Sequence, residues 1–130
     1  MKILALQPQS YYLAFGGLCI AQRAMMEGLA DLGFEVRVIS TATDSPTVEA
    51  SLLGTVNGER RTRREGVEVY ELLDVPSCYS PVAMSELFRR HIEEFRPDFV
   101  LVAEDCLNAP SPHQRPQLCL WLERLREIVP

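Results

Sequence analysis

The residues of this chain best suited to chemistry stand near its amino terminus, where Gly16-Gly17 closes an aromatic loop and precedes an amphipathic segment. Two adjacent glycines remove both Cβ atoms and let the backbone approach something bulky and anionic. A helix starting behind them supplies free N–H groups and a partial positive charge. That arrangement suits the diphosphate of a sugar nucleotide; the plainer alternative is a turn that needs glycine for its shape. The loop ahead of it carries Tyr11, Tyr12 and Phe15. Tyr11 and Tyr12 either stack on the ring of a bound molecule or pack under the loop. A second candidate is Glu104-Asp105, carboxylates able to orient a hydroxyl or exchange a proton, or simply to cap the following turn.

Other chemistries lack their residues. The cysteines Cys19, Cys78, Cys106 and Cys119 form no C-x-x-C pair, and only His91 and His113 could join them. A zinc cage needs ligands at short spacings, so no metal site is expected and the thiols read as reduced and structural. His91 sits beside Ile92 on a helical segment and reads as structural, whereas His113 reads as solvated. The dinucleotide fingerprint G-x-G-x-x-G is absent, and the second strand ends in Ser40-Thr41 without the acidic residue that would hold a ribose. Neither G-x-x-x-x-G-K-[ST] nor G-x-S-x-G occurs, which removes the P-loop and the hydrolase elbow.

The elements that must position these groups follow from the hydrophobic spacing. Lys2 to Gln7 is a short apolar run closed by Pro8, a buried strand. Leu18, Ala21, Met25, Leu29 and Leu32 keep helical spacing, and Gly33 closes that helix. Phe34 to Ser40 is the next strand, parallel to the first across a right-handed crossover. Thr41 to Gly58 reads as an irregular loop, with one helical turn near Val48 to Leu53. The basic run Arg60 to Arg64 reads as a solvated rim, or more sharply as an anion patch. The alternating Val67 to Leu72 reads as a strand, hairpinned with the segment before Gly66. Ser80-Pro81 starts a helix that runs to about Phe95 and is stopped by Arg96-Pro97-Asp98; Phe99 to Ala103 is a further strand. Leu118, Trp121, Leu122, Leu125 and Ile128 space out a last helix. Such alternation specifies an α/β fold, a Rossmann-like open and mostly parallel sheet with helices on both faces. Ligands bind such sheets at the carboxyl ends of the strands, where the loops Gln7–Gly17, Thr41–Asp44 and Glu104–Asn108 project.

With 130 residues the chain forms one domain, 1–130, large enough for its own core. A net charge of −5, with Lys2 the only lysine, argues against a nucleic-acid partner. The start lacks the length and cleavage site of a signal peptide, and no apolar run reaches the roughly 20 residues of a membrane span. A cytoplasmic location is therefore expected. The sequence stops after a helix, where another strand would follow, and so reads as truncated; surfaces exposed in that way would favour self-association.

The order MKILALQPQ, aromatic loop, GG, helix, LADLGFEVRVIS, EGVEVYEL and FRPDFVLVAED resembles the N-terminal half of a GT-B glycosyltransferase, most closely family 4, the group 1 retaining enzymes. Leu29 to Val36 matches the phrase L-x-x-x-G-H-E-V with Phe34 in place of histidine, and Arg96 to Val100 matches R-P-D-V-V. The resemblance implies transfer of a sugar from a nucleotide-diphosphate donor to an acceptor, with retention and without an essential metal or other cofactor. It would place Gly16 and Gly17 against the donor diphosphate, and Tyr11, Tyr12 and Phe15 with the region after Glu104 toward the acceptor. Leu101 and Ala103 stand where family members often carry histidines, and the C-terminal donor-binding domain is absent from this sequence. This portion alone would then be inactive. The alternative is a free-standing Rossmann- or flavodoxin-like module that binds a nucleotide or partner without catalysis.

Overall fold

The computed structural model describes residues 1–7, 10–12, 14, 17–42, 48–56, 58–73 and 89–102. Its described strands are β1 (Lys2–Gln7), β2 (Glu35–Thr41), β3 (Ser51–Val56), β4 (Glu59–Arg64), β5 (Val67–Leu72) and β6 (Phe99–Val102), with helix α1 at Gly17–Asp31. Residues 89–95 form a second helical stretch, α2. The strands make one sheet in the order β3-β4-β5-β2-β1-β6. The central pairs β5-β2, β2-β1 and β1-β6 are parallel, and β3-β4 and β4-β5 are antiparallel.

Register and strand alternation assign each side chain to a face. Ala5 pairs with Val38 and Val38 with Val69, so these share one face with Val36 and Val67. There Met26, Leu29 and Ala30 of α1 join them in the core with Tyr11 and Tyr12. The opposite face carries Leu4, Arg37, Ile39, Tyr70 and Glu59 and is covered by α2, whose Phe95 ring lies 4.4 Å from the Arg37 guanidinium. Helices therefore cover both faces, as the alternation requires.

Local chemistry ends each element. Gly33 takes φ +101°, a left-handed value that costs glycine nothing. With the Phe34 amide on the Leu29 carbonyl at 3.2 Å and the Gly33 amide on that of Ala30 at 3.0 Å, it completes a Schellman cap. At the tip of the β4-β5 hairpin Glu65 and Gly66 both have positive φ, 48° and 82°, the two-residue turn whose twist matches that of paired strands. The Arg96-Pro97-Asp98 stop is also a clasp. Asp98 exchanges backbone contact with Lys2, its amide on the Lys2 carbonyl at 2.8 Å and its carboxylate on the Lys2 amide at 2.8 Å. Lys2 Nζ in turn reaches the Phe95 carbonyl at the end of α2, at 3.3 Å.

Two expectations are corrected. The stretch read as a loop with a helical turn near Val48 to Leu53 contains strand β3, paired along β4 with a register shift between Leu52 and Gly54. Backbone pairing to a ready hairpin outweighs a segment with little periodicity of its own. The basic run Arg60 to Arg64 is more than a solvated rim: it is β4, partly exposed, and three of its arginines are matched to carboxylates. Arg60 pairs with Glu71 at 3.1 Å, Arg61 with Glu68 at 2.6 Å, and Arg64 with Glu27 of α1 at 2.9 Å.

His91 takes the structural role expected of it. Only 1% exposed, it accepts from Arg37 Nη1 at Nδ1, 3.1 Å, which fixes the proton on Nε2 for Glu59 Oε1 at 3.2 Å. Arg90 also pairs with Glu59. Burial alone would raise the Glu59 carboxyl, but His91 and Arg90 outweigh it and hold Glu59 below the usual carboxylate range.

Candidate functional site

Strand β1 lies between β2 and β6. The connection from β1 to β2 carries α1 on one face, and α2, which leads into β6, lies on the other. The chain order therefore reverses between β1 and β6, the kind of place where open α/β sheets bind their ligands. Gln7 ends β1, and Val102 ends β6 opposite Leu6. Helix α1 starts at Gly17 above the same end of the sheet.

Gly17 is exposed, and a Cβ built on it would meet nothing within 4 Å. Among the described residues, packing does not call for a glycine there. The first turn of α1 also carries no acidic side chain of its own, so the helix supplies no carboxylate against its N–H groups and positive dipole end.

The loop entering that helix is tied down from several directions. Gln7 Nε2 donates to the Ser10 carbonyl at 3.2 Å, and the Tyr12 amide donates to Ser10 Oγ at 3.3 Å. Arg23, on the second turn of α1, donates from Nη1 to the Tyr11 carbonyl at 3.1 Å, and the Val48 amide donates to that of Tyr12 at 2.9 Å. Thr62 Oγ1 donates to the Val69 carbonyl at 3.4 Å, so at 2.7 Å it accepts from the Tyr12 hydroxyl. The two rings meet edge to face at 5.1 Å, and both are buried, Tyr11 fully and Tyr12 to 3% exposure. Burial pushes both phenols up, Tyr12 to about 12, so neither is an acid or base near neutrality. Of the two roles open to these tyrosines, the rings display the packing one: they hold the loop's backbone in place, and no ring face is presented to solvent.

Beside the loop a polar row crosses the sheet near the carboxyl end of its parallel strands. Gln7 pairs with Ser40, Ser40 with Glu71, and Glu71 with Arg60, all facing α1. Gln7, Ser40 and Glu71 are 3%, 0% and 2% exposed, and the Ser40 hydroxyl has no hydrogen-bond partner among the described residues. Arg60 grips Glu71 with two bonds, Nε to Oε1 and Nη2 to Oε2, each 3.1 Å. A cavity of about 400 Å3 opens over this pair, between Tyr12 and Thr62 on one side and Val48, Ala50 and Leu52 on the other.

Of the residues singled out from sequence, the structure places Gly17 at the start of α1 and Tyr11 and Tyr12 in the core beneath the loop. Phe15, Gly16, Glu104 and Asp105 lie outside the described residues, as do His113 and the segments holding Cys78, Cys106 and Cys119. Sequence reasoning missed Gln7, Ser40 and Glu71, and met Arg60 only within the basic run read as a rim or an anion patch. The signal for the last two was present: a two-residue turn at Glu65-Gly66 fixes the register and puts Arg60 opposite Glu71. Among the described residues no three His, Cys, Asp or Glu side chains gather as a metal site, and no helix is long and apolar enough to cross a membrane.

A sheet that is parallel at its centre, reverses its chain order between β1 and β6 and carries helices on both faces is a Rossmann-like α/β fold. A family model described as a glycosyl transferase 4-like domain matches residues 16–128, and the chain belongs to that family. No curated protein and no solved structure matches it.

Proposed function

We propose that this chain is the acceptor-side domain of a GT-B, group 1 glycosyltransferase that moves a sugar from a nucleotide-diphosphate donor to an acceptor with retention. The observation that carries the reading is the family match over residues 16–128. The open first turn of α1 at Gly17 supports it. In the transfer, the bond between the anomeric carbon and the diphosphate oxygen breaks, and the nucleoside diphosphate leaves with the bonding pair. The acceptor oxygen takes its place on the same face of the sugar, and its proton passes to the departing diphosphate oxygen. Charge builds on the departing diphosphate, and a helix amino end already in position stabilises that charge without reorganising.

In this reading Gly16 and Gly17 meet the donor diphosphate, and the loop through Tyr11, Tyr12 and Phe15 borders the acceptor with its backbone. Glu104 or Asp105 orients an acceptor hydroxyl. A partner donor-binding domain supplies the basic groups that complete the grip on the diphosphate, so no essential metal is involved. The test is to incubate the enzyme with a panel of nucleotide sugars, follow nucleoside diphosphate release, and determine the anomeric configuration of the product by NMR. A retained configuration and full rates in EDTA are expected. Inversion, or activity abolished by EDTA and restored by a divalent cation, would overturn the assignment.

A further inference from the structure

We propose that the cavity over the β4-β5 hairpin is a second binding site, one that takes an oxyanion, a carboxylate or a phosphate, attached to an apolar or ring-shaped body. Among the described residues, Arg60 is held along one edge only. Glu71 is 2% exposed and engages the guanidinium along its Nε–Nη2 edge, both bonds at 3.1 Å. That leaves the Nη1 N–H groups and the outer N–H of Nη2, the end-on fork, with no partner among the described residues. The Arg60 side chain is 39% exposed, so this fork faces the opening while its carboxylate partner is sealed behind it. Glu71 also lines the cavity, but it is 2% exposed and both its oxygens are taken by Arg60, so the fork is the charged group left to meet a ligand.

Two parallel N–H groups in a rigid plane match the spacing of two oxygens on a carboxylate or phosphate, and a guanidinium already immobilised loses little further freedom on binding. The neighbouring hydroxyls do not compete. Thr62 gives its hydrogen to the Val69 carbonyl and Tyr12 gives its own to Thr62. What remains of the wall is apolar: Val48, Ala50 and the flank of Leu52, which is 65% exposed at the cavity's lip. At about 400 Å3 the space holds a single ring with its substituents. A solvated arginine kept only for folding would explain the pairing with Glu71. It would not explain an apolar lip beside an open fork. The site does not depend on the glycosyltransferase reading.

The test is a 15N–1H NMR titration of the chain with inorganic phosphate, phenyl phosphate and benzoate. Saturable shifts are expected at Val48 to Leu52 and at Arg60 and Thr62, and phenyl phosphate should bind more tightly than inorganic phosphate. Arg60→Gln should weaken binding roughly tenfold or more, the loss of one charge-assisted fork. Because that variant strands a buried carboxylate, Arg60→Gln with Glu71→Gln provides a second variant free of the stranded charge, and the same weakening is expected. Arg63→Gln, which removes an equal charge on the opposite face, should leave binding intact. Phenyl phosphate binding while benzoate does not would identify the ligand group as a phosphate, and the reverse a carboxylate. No saturable shift with any probe, shifts centred on Gly17 instead, or equal weakening in Arg63→Gln would overturn the proposal.

Discussion

Replacing Gly17 with leucine separates a glycine needed by the fold from one needed by a ligand. The substituted Cβ meets nothing within 4 Å among the described residues, and the position is the first residue of α1, so none of those residues clashes with it. Exchanging glycine for a better helix former gains at most about 1 kcal/mol, and less at a helix end than in its interior. For a chain of 130 residues that corresponds to a Tm unchanged or raised by about 3–5 °C. A diphosphate drawn up against the same backbone would be pushed off by the side chain. Losing one or two N–H contacts to charged oxygens, each worth about 1.5–3 kcal/mol, would lower kcat/KM for the nucleotide sugar by about 10- to 100-fold or more. The assay pairs thermal unfolding of the chain with transfer kinetics of the same substitution in the enzyme that includes the donor-binding domain. A variant that keeps its Tm and also keeps wild-type kcat/KM would refute the role given to this turn. A collapse of Tm would refute the claim that packing leaves the position free.

Other consequences are open to direct measurement. Arg60→Ala should destabilise more than Glu71→Ala, by about 3 kcal/mol against about 1–2 in urea unfolding, because the stranded carboxylate is sealed while the stranded guanidinium reaches water; equal losses would contradict this. His91→Leu removes the bridge between Arg37 and Glu59 and should cost about 2–4 kcal/mol, read as a drop in the urea midpoint. Glu59 and Glu68 both have carboxyls held lower in the folded chain than their ordinary 4.5. Burial opposes this, and the pairs with His91 and Arg90, and with Arg61 and Tyr70, outweigh it. The stability they contribute is complete above pH 4.5 and lost as pH falls through the lower folded values. Glu59→Gln should therefore flatten the acid limb of stability against pH, and an unaltered limb would count against the cluster.

How much of this was legible in the sequence depended on whether a signal was local. Leu29, Leu32 and Gly33 announced the end of α1 because a Schellman cap is written within six residues. Arg96-Pro97-Asp98 announced the start of β6 because proline and a left-handed residue stop a helix wherever they stand. The stretch Ser51 to Val56 hid its strand, since a weakly patterned segment with a glycine in its middle becomes extended only when a hairpin edge is there to pair with it. The tyrosines were ambiguous for a related reason. An aromatic side chain in a loop reads the same whether it faces a ligand or the core, and only the Thr62 hydroxyl, far along the chain, settles where the Tyr12 ring points. The charged run misled because arginines on a strand look like surface until their carboxylates are located.

The clasp between Lys2 and Asp98 bears on how this chain is made. The hairpin of β4 and β5 joins neighbours in sequence and can form as soon as it leaves the ribosome. The open side of β1, by contrast, has no partner until Phe99 to Val102 emerges. For most of synthesis the nascent polypeptide therefore carries an apolar ribbon with one margin bare, a state prone to sticking to other chains. A chaperone bound to that margin would have to let go at the moment Asp98 reaches Lys2.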